Sequence, residues 1–308
     1  MRVAVVGAGA LGRVYGVRLA AAGHDVTFVV RAARAATPRP FVLERANADG
    51  RRDRLDAPRL ATEVPDDAEA AIVAVRVDHL DGDLSAVLRR AEGVALVVVT
   101  PLLPRAKADL DGALGRPVVA AQPGVVAYEN DAGVVRYWLP RVAPTRIEAS
   151  GAPEAVVHLA QALDRAGLPT RLEPGVTQSN PATTATFFPI VLALDAAGGT
   201  VDDVLARGDV LDAMFAALRE TRALAGRLGT SAPWAGTLAR FASPLTLRVG
   251  VRLARSMSPE GVAFAERHFG QKTHAQNLAV ARALVALLDD ARLPRLALAR
   301  LIALAESR

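Results

Sequence analysis

Residues 2–12 restrict the fold more than any other stretch. Val3-Ala4-Val5-Val6 has the length and apolar content of a buried strand, and it runs directly into Gly7-Ala8-Gly9-Ala10-Leu11-Gly12. The spacing is G-x-G-x-x-G. In such a turn the first glycine lets the chain leave the strand tightly, the second lets the backbone approach a pyrophosphate, and the third lets the next helix pack close to the sheet. The phosphates then rest on the N–H groups and positive dipole end of that helix. In a chain with 24 glycines the pattern alone is weak. Its setting strengthens it: Leu11, Val14, Val17 and Leu19 follow with helical spacing, then Gly23-His24 and a second apolar strand over 26–30. The expectation is a β-α-β unit that binds a dinucleotide through Gly7, Ala8, Gly9, Ala10, Leu11 and Gly12.

A secretory signal is the competing reading of the same residues, since Arg2 precedes an apolar run that ends in Ala20-Ala21-Ala22. The apolar region of a signal is an uninterrupted run of about 7–15 residues. Here the run is broken by glycine and carries Arg13 and Arg18 along one helical face. No stretch reaches the roughly 18 apolar residues of a membrane span; 187–194 is short and contains Pro189. The chain has no cysteine, which excludes disulfides, thiol catalysis and zinc–thiolate sites. No metal site is expected from the five scattered histidines. A net charge of +5 raises nucleic acid as a partner, but the basic residues are spread along the chain and only 4% of residues are aromatic, too few for a stacking platform. A cytoplasmic protein without membrane or nucleic-acid partners is expected.

At 308 residues the chain is long enough for two domains. Arg31 and Arg34 follow the second strand, where an NAD-binding fold usually carries an acid for the adenosine ribose. A guanidinium there suits the 2′-phosphate of NADP, which it grips with two parallel hydrogen bonds; the competing reading is a solvated loop arginine. Residues 41–45 and 54–61, separated by Asn47-Ala48-Asp49-Gly50, look like a hairpin inserted in the crossover. The sheet resumes over 71–75 and ends at Arg76, and Asp78 is placed to cap the helix carrying Leu80, Leu84, Val87 and Leu88. A strand over 95–99 leads into Thr100-Pro101-Leu102-Leu103-Pro104. Ligands bind outside the carboxyl ends of such strands, so Arg76, Thr100 and Pro101 point at the cofactor.

Further strands are expected over 118–121, 134–138, 145–148 and 169–172, with a helix over 153–166. Beyond Pro174 the periodicity is helical, over 187–197, 210–228, 233–242, a long segment 259–288, and 293–305. The domains are read as 1–173 and 174–308.

These features resemble the ketopantoate reductase (2-dehydropantoate 2-reductase) family in its broad sense. The likeness rests on Met1 to Gly12, on Arg31, on Arg76 where the family usually has a lysine, and on Gly133-Val134-Val135-Arg136 before a late strand. It implies an α/β Rossmann-like N-terminal domain followed by an all-α C-terminal domain of the 6-phosphogluconate dehydrogenase C-terminal type, which serves substrate binding and dimerisation. It also implies NADP(H) as cofactor, a small-molecule carbonyl substrate in the cleft between domains, and a homodimer. The chain departs from the family where its catalytic lysine falls, since Gln178 to Thr184 contains none. The family's asparagines fall near Pro101, Phe187 and Val191.

Some family members carry instead a late acidic helix with a His-Phe-x-Lys-like segment, similar to Glu260, Glu266, His268-Phe269, Lys272 and Gln276 here. His268, Lys272 and Gln276 recur every four residues, one polar stripe if the segment is a single helix. Lys272, His268 and Glu260 are the candidate catalytic residues. Lys272 leads because 35 of the 37 basic residues are arginine, and a lysine is the one that shifts its pKa into a useful range. A solvated or interface face is the competing reading. The function expected is an NADPH-dependent reductase of a 2-oxo acid or larger ketone other than ketopantoate. The alternative is a redox-silent relative that acts as a cyclase, a lyase or a binding protein.

Overall fold

The computed structural model describes residues 1–46, 50–140, 143–231, 243–257, 259–269 and 274–307. The chain divides into two compact units, Met1–Thr177 and Gln178–Arg308. In the first, β1 (Arg2–Val6), α1 (Ala10–Ala21) and β2 (Asp25–Val29) form the expected β-α-β start. The main sheet continues with β5 (Arg59–Ala61), β6 (Ala70–Val73), β7 (Ala95–Val98), β8 (Val119–Gln122), β11 (Thr145–Glu148) and β12 (Thr170–Glu173). Its order is β12-β11-β8-β7-β6-β1-β2-β5. All neighbours from β5 to β8 run parallel, and β11 is antiparallel to β8.

The central strands are buried on both faces, as a parallel sheet requires. Val3 and Val5 pack with Val14, Tyr15 and Leu159, while Ala4 and Val6 pack with Leu88, Leu110 and Leu114. The chain leaves β1 towards β2, then returns to β6 on the other side. The switch point of the sheet is therefore between β1 and β6, where open α/β sheets bind ligands.

A second sheet, ordered β4-β3-β10-β9, is built from β3 (Phe41–Arg45), β4 (Arg52–Leu55), β9 (Val126–Glu129) and β10 (Val135–Trp138). The hairpin is present, with Phe41 paired to Leu55 and Glu44 to Arg52. Its second arm is shorter than 54–61, because 59–61 joins the main sheet beside β2 as β5. The turn residues 47–49 lie outside the described residues.

Arg13 and Arg18 do not form a charged face towards solvent. Both are buried. Arg13 donates to the Glu129 carboxylate and to the Gly133 carbonyl, and Arg18 reaches Asp53 on β4 at 3.0 Å and the Ala166 carbonyl at 2.9 Å. Each ties α1 to the second sheet.

Glu148 closes the end of β11. Its carboxylate accepts N–H groups from Ser150 at 3.0 Å, Gly175 at 3.1 Å and Thr177 at 2.9 Å, which fastens the entry to α6 (Val176–Ala197). Burial alone pushes this carboxyl up. The bonds from Thr177, Ser150 and Gly175 outweigh it and bring the pKa from 4.5 to about 2. Because the folded value is the depressed one, the stabilisation is complete above the unfolded pKa and is lost as pH falls towards about 2. A shift of that size corresponds to about 3 kcal/mol. Glu148→Gln should therefore cost about 2–3 kcal/mol near neutrality, and the gap from wild type should shrink as pH falls from about 4.5 towards about 2. Urea midpoints measured across that range test it; a gap independent of pH would show that the charge is not what holds the joint.

The second unit is helical in its described residues. α6 begins at Val176, earlier than the expected 187, and runs through Pro181 and Pro189. α7 (Val201–Ala206) was not expected from the sequence and starts on Thr200, whose hydroxyl accepts the Asp203 N–H. α8 (Gly208–Leu228) follows. Later helices are Pro244–Met257, Pro259–Phe269, His274–Asp290 and Leu296–Glu306. The expected helix 233–242 lies outside the described residues. No described helix is long and apolar enough to cross a membrane.

Candidate functional site

The three glycines of the turn are required by different things. Gly7 has φ +97°, left-handed backbone that favours glycine, and a Cβ there would stand 2.8 Å from the Ala74 carbonyl oxygen. A Cβ on Gly12 would overlap the Gly7 carbonyl, so this glycine lets α1 close onto the turn. Both are needed by the fold itself. Gly9 is exposed, has an ordinary φ of −71°, and a Cβ there would meet no protein atom within 4 Å. It also caps α1 without any side-chain hydrogen bond. The first-turn N–H groups are thus presented to whatever occupies that space.

Two cations stand at the carboxyl edge of the sheet. Arg31, just after β2, is exposed and its side chain has no partner among the described residues. Arg34 lies instead with its guanidinium 5.7 Å from the Phe41 ring centroid, a cation–π contact. Arg76 follows β6. Its Nη2 donates to Asp78 at 2.9 Å and lies 2.7 Å from His79 Nε2. Its Nε and Asp78 Oδ1 are buried with no hydrogen-bond partner among the described residues.

Asp78 is thereby engaged, and it does not cap the following helix. Asp81 does, accepting the Leu84 N–H at 2.9 Å at the start of α3 (Gly82–Arg90). The Thr100 hydroxyl donates to the Val75 carbonyl and joins the ends of β6 and β7. Its proton is occupied, so it offers a ligand only a lone pair. Pro101 beside it is half-buried.

The catalytic candidates fall apart in space or outside the described residues. Glu260 is exposed in the first turn of Pro259–Phe269, where a carboxylate suits the helix dipole. His268 is in the last turn of the same helix, its ring 4.5 Å from Phe269, which in turn packs 5.6 Å from Phe187. Gln276 belongs to the next helix, His274–Asp290. The expected single helix over 259–288 is therefore two described helices, and Lys272 lies outside the described residues between them. Glu266 accepts the Val201 N–H at 3.0 Å and so holds the start of α7.

One constellation escaped the sequence reading. Asp195, on α6, is fully buried, and both its oxygens face Nδ1 of His274 at 3.1 and 2.9 Å. Asn277 donates to Oδ2 at 3.2 Å. The available signal was an acid inside the otherwise apolar run 187–197, which calls for a partner when buried. Among the described residues no group of three or more His, Asp or Glu is placed to hold a metal ion.

A parallel sheet with a glycine turn at its switch point, followed by a unit that is helical in its described residues, defines the class as a Rossmann-like α/β fold with a helical C-terminal part. Residues 3–100 match the family described as Ketopantoate reductase PanE/ApbA. No curated protein sequence matches.

Solved structures match over the whole length. 2-Dehydropantoate 2-reductase from Geobacter metallireducens GS-15 is 16% identical with a TM-score of 0.70, covering 100% of this chain and 99% of that one. A PanE/ApbA family ketopantoate reductase from Ralstonia eutropha JMP134 is 19% identical with a TM-score of 0.66, covering 99% and 97%. D-Mandelate dehydrogenase, solved as a ternary structure with NADH and anilino(oxo)acetate, is 13% identical with a TM-score of 0.69, covering 100% and 98%. At such identities the likeness is one of fold.

Proposed function

We propose that the chain binds NADPH on the Gly7–Gly12 turn and Arg31, and reduces the carbonyl of a 2-oxo acid or larger ketone other than ketopantoate. The observation that carries this is Gly9: a glycine that neither its backbone angle nor any protein neighbour demands, at the open mouth of the turn. When bound, the reduced nicotinamide supplies hydride. The N–H groups at the start of α1 hold the pyrophosphate, and the exposed, unpartnered Arg31 meets the adenosine 2′-phosphate with a bidentate, charge-assisted bond. Arg76 and Pro101 border the same edge. The D-mandelate dehydrogenase complex supports the substrate class by analogy of fold only.

Cofactor choice gives the direct test. Arg31→Ala removes no contact of the fold, so stability should stay within about 0.5 kcal/mol. NADPH affinity should drop by about 1.5–3 kcal/mol, roughly 10- to 150-fold, with NADH nearly unchanged. Calorimetric titration of both cofactors against both proteins decides it. Equal loss for the two would move Arg31 away from the 2′-phosphate.

The redox-silent reading is favoured by one feature, the absence of lysine between Gln178 and Thr184. NADPH that binds but is never oxidised by 2-oxo acids or ketones would establish it.

A further inference from the structure

We propose that the second unit carries a binding site for a small organic monocarboxylate with an apolar body, in a cavity of about 680 Å³ between α8 and the helix Leu296–Glu306. The described residues that line it all belong to the second unit, so the site goes beyond the reductase reading and does not depend on it. Its volume is in the ordinary range for small-molecule pockets.

Two guanidiniums stand at this cavity without a counter-charge. Arg219 on α8 and Arg300 on the facing helix both line it, and neither has an ion pair or hydrogen bond among the described residues. The acids around them are engaged elsewhere. Glu220, next to Arg219, accepts the N–H groups of Ala297 and Leu298 at 3.0 and 2.9 Å, Asp209 pairs with Arg207 at 2.7 Å, and Glu306 pairs with Arg282 at 2.6 Å. The Glu220 bonds also fix the two walls relative to each other and occupy two of the first N–H groups of the facing helix, so recognition of an anion falls to the arginines. Asp212 is the remaining carboxylate of the two helices; it lines the cavity and forms no ion pair among the described residues. Two guanidiniums against one carboxylate leave one positive charge, which a single further carboxylate neutralises.

The rest of the lining is apolar. Ala213 and Phe215 are buried, Ala216 is half-buried, and Leu296 is 79% exposed at the first position of its helix. An exposed leucine at the edge of a cavity beside unpaired cations matches a ligand that is anionic at one end and hydrocarbon at the other. An inorganic anion would leave that surface in water. A neutral apolar molecule would leave both guanidiniums unanswered.

The test uses the full chain and the fluorescent probe anilinonaphthalene sulfonate, an apolar body with one anionic group. The probe should bind wild type and be displaced by octanoate, but not by octanol or inorganic phosphate at equal concentration. The double variant Arg219→Gln, Arg300→Gln should bind it at least about 10-fold more weakly, with thermal unfolding unchanged because neither side chain has a partner to lose. Arg222→Gln, exposed on α8 but outside the cavity lining, should bind as wild type does. Octanoate followed directly by saturation-transfer NMR should lose its signal in the double variant, which guards against probe bound at another surface. Octanoate bound equally by wild type and double variant overturns the site. Displacement by octanol as effective as by octanoate overturns the carboxylate, and displacement by phosphate as effective as by octanoate overturns the apolar part. NADPH affinity should be the same in wild type and double variant; a loss in the variant would assign these arginines to the dinucleotide and overturn the organic acid.

Discussion

Gly9→Val should abolish measurable NADPH binding while leaving the protein folded. Free of cofactor, the added side chain starts in open space: no protein atom lies within 4 Å of the Cβ position, and φ of −71° is accessible to valine. The expected cost to stability is at most about 1 kcal/mol, since valine is a poorer N-cap than glycine. The bound pyrophosphate, in contrast, requires the backbone of this residue at close range. A Cγ pair in that space should weaken NADPH by at least about 10²-fold, or ~2.7 kcal/mol.

Gly7→Val and Gly12→Val are the informative contrast. Both would clash with the protein itself, so they should fail by losing the fold. Cofactor titration together with thermal unfolding separates the cases. A Gly9→Val protein that still binds NADPH as wild type does would remove the dinucleotide from this turn.

Much of the first unit could be read from the sequence because its signals are local. An apolar run, a glycine turn and a helical repeat lie within residues 2–30, and the strands at the sheet centre are continuous apolar runs. What failed was set by distant partners. β9 is four residues long and exists because it pairs with β10 beside α1, which nothing within Val126–Glu129 announces. Asp78 and Asp81 are equally good caps on paper; the choice falls to Asp81 because Asp78 is engaged by Arg76.

The helix was expected only from 187, yet α6 starts at Val176 and passes through Pro181 and Pro189 with Ala182, Ala185, Phe188 and Leu192 buried around them. Tertiary burial overrides the lost backbone bonds there. The candidate site divides in the same way. The glycine turn and Arg31 were legible from local pattern, whereas Asp195 and His274 are 79 residues apart and only folding brings them together.

Arg18→Ala should substantially destabilise the first unit. Arg18 and Asp53 are each 10% exposed in their side chains, and the guanidinium also donates to the Ala166 carbonyl at the end of α5 (Glu154–Arg165). Truncation therefore strands a buried carboxylate and an uncapped carbonyl together. Breaking such a pair from one side costs about 3–5 kcal/mol. The low end is expected here, because Arg51, 57% exposed and 3.5 Å from Asp53, is free to swing closer. Chemical denaturation should show the loss in the midpoint with the slope unchanged. Arg18→Met combined with Asp53→Leu should recover most of it, since replacing both charges by apolar groups removes the uncompensated desolvation. A double variant as unstable as Arg18→Ala would mean that the Ala166 carbonyl, not the ion pair, holds α1 to the rest of the unit.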